Sequence, residues 1–498
     1  MPTISSTLGL NRSITESRDM ISDLQQQLAT GKKAKTYGGL GLQRTQVLSL
    51  RSELSQIKGF TDTISLLDLR LDVMLLSLER VREVVSETKS DSQMAGFTPL
   101  STGQTMFQTE VAGRFDEVVS LLNAEVTGRH LFGGRETEQD PVLPAAEILD
   151  GGSGRAGFKQ IVSERRQADL GADGRGRLVL NPPTGATATI AEDAAGSPFG
   201  FKLAGATSTL SGTSIIGPAG SPPDLDITFS GTLPNDGESI RLTLDLPDGT
   251  QHDIVMTARA SGPLTPGEFL IGADANTTAT NFQAALTTEV ETEAQRSLSA
   301  ASLFAATNDF FDFDVANPPQ RVDGPPFNSA TALRDATAGD TVFWYQGEDS
   351  ATDARTSNRA KVDDSIFVAY GARANEDAFR DVLKTFAALT VETFSETDVN
   401  AADRYNEIRL RANSALAFQG GAQAVEDIII ELTVAKVGVG RAAERHQASD
   451  SILRGIIGEA ENADIYEVST QILSLQVRIE ASLQVSASLS RLSILNFI

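Results

Sequence analysis

Residues able to carry out catalysis or bind a metal are few and scattered along this chain. None of the 498 residues is cysteine, which excludes a thiol nucleophile, a disulfide and a cysteine-ligated metal. The histidines are His130, His252 and His446, and their wide separation in sequence disfavours a histidine-rich metal site. No nucleophile elbow, P-loop or His-Glu motif appears in the sequence, so the remaining candidates are glycine-rich loops and carboxylates.

Three short stretches could belong to such a site. The segment "GSGRAG" at 152–157 matches the G-x-G-x-x-G pattern of dinucleotide sites, but the preceding "PAAEILDG" is a poor buried strand, which favours a plain glycine-rich loop. The carboxylates of "DFFDFD" at 309–314 and of Asp363-Asp364 lack the ligand spacing of a calcium loop, so both stretches are predicted to be solvated turns. We therefore predict that the protein is not an enzyme and binds no cofactor or metal.

The charge of the chain restricts its partners. A formal net charge of -24 disfavours binding to nucleic acid and to anionic membranes. Residues 1–60 are an exception, with eight lysine or arginine residues against four acidic ones. The sequence contains no apolar segment typical of a secretory signal or of a membrane-spanning helix, which favours the cytoplasm unless export follows another route.

The strongest structural pattern is an apolar stripe between residues 60 and 85. Its members recur at alternating spacings of four and three, and they are Phe60, Ile64, Leu67, Leu71, Met74, Leu78, Val81 and Val85. This spacing predicts a coiled-coil seam on a helix of about 40 residues, on the order of 60 Å long. Such a seam requires partner helices to cover it.

Shorter stripes occupy both ends of the sequence. Near the beginning, the apolar positions at helical spacing are Leu10, Ile14, Ile21, Leu24 and Leu28, and the glycine-rich "TGKKAKTYGGLG" at 30–41 ends that helix. Near the end, the corresponding positions are Ile465, Val468, Ile472, Leu475, Ile479, Leu483, Leu489, Leu492, Leu495 and Phe497. We predict that these stripes and the 60–85 stripe form a subunit assembly interface, and that the terminal helices become ordered only as subunits dock.

The middle of the chain is predicted to be rich in β-strands. Strand-like runs include "LDITFSGTL", "DTVFWYQGED" and "SIFVAYGA", and "SIRLTLDLPDGTQHDIVMTA" reads as a hairpin around Pro247-Asp248-Gly249. One helix is expected at "TTATNFQAALTTEVETEA", and helices resume near Asn375 and from Ala402 to about Glu444. The predicted fold class is α+β, with a long coiled-coil rod of paired terminal segments and an inserted β-rich domain.

Five segments follow from this organisation. The predicted order along the chain is an N-terminal assembly helix (1–45), a helical rod segment (46–140), a variable outer domain with one or two subdomains (141–371), a second rod segment (372–454) and a C-terminal assembly helix (455–498). We expect 1–45 to pair with 455–498, and 46–140 to pair with 372–454.

Four stretches resemble the bacterial flagellin family, and within it most closely the hook-filament junction proteins. They are "LQQQLATGKKAK" (24–35), "LLNAEVTGRHLFGGRETEQDP" (121–141), "IGEAENADIYEVSTQIL" (457–473) and the ending "LSRLSILNFI". The resemblance covers roughly the first 140 and the last 125 residues. One departure lies after Gly31, where "AKTYGGLGLQR" stands in place of the family's Asn-containing, Asp-rich turn.

The resemblance implies a structural protein of the extracellular flagellum that is exported unfolded, without a cleaved signal peptide, through the organelle's own channel. Its implied partners are further copies of itself, hook-associated proteins, flagellin and a cytoplasmic export chaperone. Two alternatives stay open: flagellin itself, and a coiled-coil binding module whose β-rich head captures a ligand. An enzyme is the weakest option, because the sequence offers no recognisable carboxylate site.

Overall fold

The computed structural model describes residues 3–314 and 316–495, and within them the chain is an α+β protein. The α-helices of this part are α1 (Thr3–Thr30), α2 (Arg44–Met94), α3 (Met106–Leu122), α4 (Ala145–Asp150), α5 (Phe158–Leu170), α6 (Ala275–Glu293), α7 (Ser299–Phe311), α8 (Ala354–Ser357), α9 (Asp377–Val391), α10 (Ala401–Ala415), α11 (Val425–Glu461) and α12 (Ile465–Leu495). Short 3-10 helices cover Tyr37–Gln43, Phe327–Ser329 and Gln419–Gly421, and a π-helical segment at Ala294–Leu298 joins α6 to α7.

The strands of the described residues all lie between Gly151 and Ala369. They are β1 (Gly151–Gly152), β2 (Arg155–Ala156), β3 (Leu178–Leu180), β4 (Thr187–Glu192), β5 (Lys202–Ser208), β6 (Thr213–Gly220), β7 (Pro223–Phe229), β8 (Ser239–Asp245), β9 (Gln251–Arg259), β10 (Glu268–Leu270), β11 (Gln320–Val322), β12 (Leu333–Asp335), β13 (Arg359–Lys361) and β14 (Phe367–Ala369). Two sheets have four strands each, in the orders β3-β4-β7-β6 and β10-β9-β8-β5. Their pairs are antiparallel apart from β9 and β10.

The hairpin of β8 and β9 has the predicted form. The two strands pair from Ser239 opposite Thr257 to Asp245 opposite Gln251, and the turn closes where the Leu246 amide donates to the Thr250 carbonyl at 2.8 Å. Alternate side chains of β8 point into a core because side chains of a strand alternate between its two faces. The predicted hairpin is therefore confirmed.

Both four-stranded sheets share one core with α6. The predicted helix at 277–294 is confirmed by α6, whose first turn is capped by Asp274, since its carboxylate accepts from the Thr277 amide at 2.8 Å. Phe282 of α6 packs edge-on against Phe229 and Phe269, with ring centroids 5.6 and 5.2 Å away. The inward-facing side chains of the strands and of α6 thus form a single apolar cluster.

The chain divides into two compact units by its internal contacts. The smaller, which we name the terminal unit, consists of Met1–Asp68, Ala360–Val368 and Val437–Ile498. The larger, the central unit, consists of Leu69–Arg359 and Ala369–Lys436. Both units contain segments that are distant in sequence, so long-range packing rather than local helix formation defines each of them.

The expected strand at "DTVFWYQGED" is wrong. This segment forms only isolated bridges, between Tyr345 and Val142 and between Thr341 and Ala156. Trp344 is buried, and its indole Nε1 donates to the Phe311 carbonyl at 3.2 Å. The apolar side chains of this segment therefore pack into the core although its backbone does not pair in a sheet. Strand propensity does not distinguish these two situations.

The helix expected from Ala402 to Glu444 is interrupted. α10 ends at Ala415, and α11 begins at Val425 and continues to Glu461. Between them Phe418, Gly420 and Gly421 have positive φ angles, a conformation that cannot continue a right-handed helix.

The acidic and glycine-rich stretches have mixed outcomes. The solvated turn predicted at 309–314 is wrong for Asp309, which lies in α7 and accepts a hydrogen bond from Arg165 Nη1 at 2.6 Å. The prediction is confirmed at Asp364, which is exposed in a turn where its amide donates to the Asp363 carboxylate. The "GSGRAG" segment forms the small antiparallel hairpin β1–β2, which follows a helix and not the strand that a dinucleotide site requires.

Candidate assembly surface

The 60–85 stripe lies in the core of this chain. Phe60 is half-buried and stacks on His446 with ring centroids 5.3 Å apart. The remaining members are all buried, and they are Ile64, Leu67, Leu71, Met74, Leu78, Val81 and Val85. Because the chain's own side chains cover this stripe, the prediction of a subunit interface now depends on the terminal stripes.

Helices α1 and α12 pack against each other within the terminal unit. The buried members of their stripes are Ile14, Val468 and Ile472. Those that are half-buried or exposed are Ile21, Leu24, Leu28, Ile465, Leu475, Ile479 and Leu483. Leu10, Leu489, Leu492 and Leu495 belong to helical segments whose side chains lie outside the description, and Phe497 lies outside the described residues. The pair therefore buries one narrow seam and leaves much apolar surface uncovered.

The loops that follow α1 and α11 are joined by backbone hydrogen bonds. Gly31 ends α1 with a φ angle of 67°, which suits glycine because a Cβ atom disfavours this conformation. The Lys33 amide donates to the Glu461 carbonyl at 2.7 Å, and the Ala463 amide donates to the Gly31 carbonyl at 2.9 Å. These bonds fix the start of α12 against the end of α1.

The Glu461 carboxylate is the centre of this junction. It accepts hydrogen bonds from Arg51 Nη2 at 2.8 Å to both oxygens, and Lys32 Nζ lies 3.4 Å from Oε2. Lys32 Nζ also donates to Asn462 Oδ1 at 2.7 Å. Burial opposes ionisation of Glu461, but Arg51 and Lys32 outweigh it and hold the pKa of this carboxyl below its ordinary value. No local sequence pattern indicates this pairing, because its members are 410 to 429 residues apart.

Two of the stretches that carry the family resemblance meet at this junction. Residues 24–35 supply Gly31 and Lys32, and residues 457–473 supply Glu461 and Ala463. The stretch 121–141 lies in the central unit and has a separate role.

Gly133 explains the conformation of that third stretch. A Cβ atom on Gly133 would lie 2.1 Å from the Glu136 carbonyl oxygen, so a larger residue would force the turn open. The Glu348 amide donates to the Gly133 carbonyl at 2.9 Å, and the Ala374 amide donates to the Phe132 carbonyl at 2.8 Å. The glycine thus permits a tight turn that anchors two distant segments.

A second apolar face of α12 was missed by the sequence reasoning. Tyr466, Leu473 and Val477 are 88%, 63% and 65% exposed. Their spacings of seven and four place them on one side of the helix, so helical periodicity could have identified them. Among the described residues, more than half of the large exposed apolar side chains belong to the terminal unit, which is little more than a quarter of the chain.

The two units also differ in charge. The terminal unit contains 14 lysine and arginine residues and 15 aspartate and glutamate residues, a net charge of -1. The central unit has 28 basic and 51 acidic residues, a net charge of -23. The terminal unit is therefore an almost neutral surface with uncovered apolar side chains, suited to burial against protein.

No known family model matches this chain, and no curated protein matches its sequence. Among residues 3–314 and 316–495, no group of three or more histidine, aspartate or glutamate side chains is arranged to hold a metal ion. No helix in these ranges is both long enough and apolar enough to cross a membrane.

Proposed function

We propose that this protein is a structural subunit of the bacterial flagellum that forms the junction between hook and filament. The observation that carries the proposal is the exposed, almost neutral apolar surface of the terminal unit. The resemblance of residues 24–35 and 457–473 to the flagellin family adds support, because these stretches meet at one junction. In this proposal the paired terminal segments form a coiled-coil rod that carries the β-rich region as an outer domain.

The energetics of burial favour assembly through α1 and α12. Full burial of one leucine-sized side chain contributes about 2 kcal/mol. Leu473, Val477 and Leu483 are 63%, 65% and 45% exposed in the single chain, so covering what remains exposed would contribute roughly 3–4 kcal/mol at a subunit contact, before the entropic cost of association. Repetition of the contact from subunit to subunit, head to tail around a helix, would build a tube.

The charge distribution also favours assembly through the terminal units. Almost neutral terminal units can pack closely, because they add little mutual repulsion. The acidic central unit would face outwards, where like charges keep assembled structures apart and soluble.

Export and partners follow from this proposal. The subunit would leave the cell unfolded through the flagellar channel, held beforehand by a cytoplasmic chaperone. A chain without cysteine is suited to this route, since no disulfide has to be reduced before threading or formed afterwards. Outside the cell it would contact further copies, other hook-associated proteins and flagellin.

Immunogold labelling of sheared flagella tests the proposal. Label confined to the boundary between hook and filament is the expected result. Label along the whole filament would identify the protein as flagellin, and label found only inside cells would overturn the flagellar proposal in favour of a coiled-coil binding module.

A further inference from the structure

A basic loop connects α1 to α2 in the terminal unit. We define it as residues 31–44, which include the 3-10 helix Tyr37–Gln43. The sequence from residue 24 to residue 52 contains five basic residues and no acidic one. Leu42 is fully exposed, and the loop also lines a cavity of about 450 Å³ with Lys35, Tyr37 and Leu40. The loop therefore presents an uncovered leucine, a recess and positive charge.

The basic loop is tightly folded. A Cβ atom on Gly39 would lie 2.7 Å from the Ala34 Cβ, and the Gly39 amide donates to the Thr36 carbonyl at 2.9 Å. Gly41 has a φ angle of 57°, a conformation that glycine adopts without steric cost. Because the loop is already shaped within the single chain, it loses little conformational freedom when it binds a partner.

Only part of the positive charge of the loop is used within the chain. Lys32 belongs to the Glu461 junction, and Lys33 Nζ donates to a backbone carbonyl of α11 at 2.6 Å. Among residues 3–314 and 316–495, neither Lys35 nor Arg44 has an ion-pair partner. Both side chains are exposed, so they are available to an acidic surface of another molecule.

An acidic groove on the central unit has the complementary composition. It lies along α2 and the beginning of α11, has a volume of about 740 Å³, and includes Leu76, Glu79, Glu83, Glu87 and Glu426 together with Arg80 and Arg82. Both arginines are already paired with glutamates of α2. Leu76 is 73% exposed, and Glu426 has no ion pair within the described part of the chain. The groove thus combines an uncovered leucine with four carboxylates against two guanidinium groups.

We propose that the basic loop of one copy of this chain docks into the acidic groove of a second copy, with Leu42 on Leu76. In this contact Lys35 and Arg44 face the groove carboxylates, so opposite charges meet while the two leucines leave water. A second copy is the occupant because both complementary surfaces belong to this chain, and neither leucine is covered in it. The inference rests on the self-assembly that the proposed function requires. Loop and groove are different surfaces, so the contact is heterologous and can repeat from copy to copy.

Disulfide cross-linking between two different variants tests the contact. Leu42→Cys and Leu76→Cys are prepared as separate full-length proteins, each with a single cysteine because the chain has none of its own. The variants are mixed, allowed to assemble and mildly oxidised, and the linked peptides are identified by mass spectrometry. A disulfide between positions 42 and 76 can then form only between copies, and we expect it in the sedimented assemblies. Leu410→Cys in place of Leu76→Cys is the matched control and should give little linkage, because Leu410 is an exposed leucine of the central unit outside the groove.

Charge reversal shows whether the opposite charges contribute to the contact. Arg44→Glu in the loop and Glu426→Lys in the groove should each lower the yield of the 42–76 disulfide by roughly three- to tenfold, since each turns an attraction between exposed charges into a repulsion. The two reversals together, one in each cross-linking partner, should restore most of the yield. Neither residue has an ion pair within the described ranges, so the fold of each copy should not change, and Trp344 emission checks this for the central unit.

The outcomes separate this contact from the proposed function. Assembly without the 42–76 disulfide, or two reversals that do not restore one another, would overturn the contact and leave self-assembly in place. A parent protein that stays monomeric would overturn both the contact and the assembly on which the proposed function depends. A 42–76 disulfide in a protein that immunogold labelling finds only inside cells would support the contact and contradict the flagellar proposal.

Discussion

The terminal and central units differ in how completely they bury their apolar side chains. In the central unit, Leu78 and Trp344 are almost completely buried, so this unit has its own core beneath a surface with a net charge of -23. In the terminal unit, Leu473 and Val477 remain exposed on a helix with little net charge around it. From this comparison we propose that the central unit folds by itself, whereas neighbouring molecules complete the terminal unit.

Helix physics gives the reason for this division. Isolated helices are only marginally stable in water, and most of their stability in proteins comes from packing of an apolar face. α1 and α12 pack along one seam that buries Ile14, Val468 and Ile472 and leaves the flanking side chains in water. Substitutions should therefore affect folding in one unit and assembly in the other.

Deletion of residues 492–498 should have the largest effect. It removes Leu492, Ile494, Leu495, Phe497 and Ile498, the apolar end of the predicted assembly stripe. We expect incorporation into flagella to be abolished, while the thermal transition followed by Trp344 emission stays unchanged, because this tryptophan is buried in the central unit. Normal incorporation of the truncated protein would show that the terminal stripe is not an assembly element.

A matched pair of leucines sharpens the comparison. Leu78→Ala empties a fully buried site in the central unit and should lower the free energy of unfolding by about 2–5 kcal/mol. Leu473→Ala removes an exposed side chain and should change it by less than about 0.5 kcal/mol while weakening assembly. Urea unfolding followed by circular dichroism, together with a sedimentation assay of assembly, measures both effects. Equal effects of the two substitutions on unfolding would remove the distinction between the units.

Substitution of Glu461 at the junction should have a more moderate effect on stability. Glu461→Gln leaves Arg51 and Lys32 without their carboxylate and should destabilise the terminal unit by about 1–3 kcal/mol. Glu16→Gln is the control, because its ion pair with Arg12 is exposed and should contribute less than about 1 kcal/mol. Loss of helical circular dichroism on heating compares the two variants, and equal melting curves would contradict a structural role for Glu461.

The smallest expected effect concerns the pH dependence of stability, which should have opposite signs in the two units. Burial raises the pKa of Asp309 to about 6, above its ordinary value near 3.8, so the central unit gains stability as pH falls between about 6 and 4. The pKa of Glu461 is lowered instead, so the terminal unit keeps this contribution above about pH 4.5 and loses it as pH falls through the lowered value. Asp309→Asn and Glu461→Gln should each flatten one of these two trends in thermal melts recorded across this range.

Sequence patterns predicted the local elements well where spacing alone decides them. The 3-4 spacing from Ile64 to Val85 predicts both the helix α2 and its buried face, because periodicity determines which side chains share a side. The turn at Pro247-Asp248-Gly249 predicts the β8–β9 hairpin for a similar reason.

What the sequence could not predict depends on contacts between distant residues. Asp309 reads as a solvent-exposed carboxylate until α5 brings Arg165 beside it. The same holds for Glu461 and Arg51, whose pairing needs α2 and α11 to be in place. For the terminal stripes, periodicity predicts a helix face but not whether that face is covered, since Val468 is buried while Leu483 is exposed.

Amide hydrogen exchange of the monomer and of the assembled protein tests the central claim most directly. We predict that amides of α1 and α12 exchange rapidly in the monomer and become protected on assembly, while those of β8, β9 and α6 are equally protected in both forms. Terminal helices that are fully protected already in the monomer and unchanged on assembly would contradict the claim that neighbouring subunits complete the terminal unit.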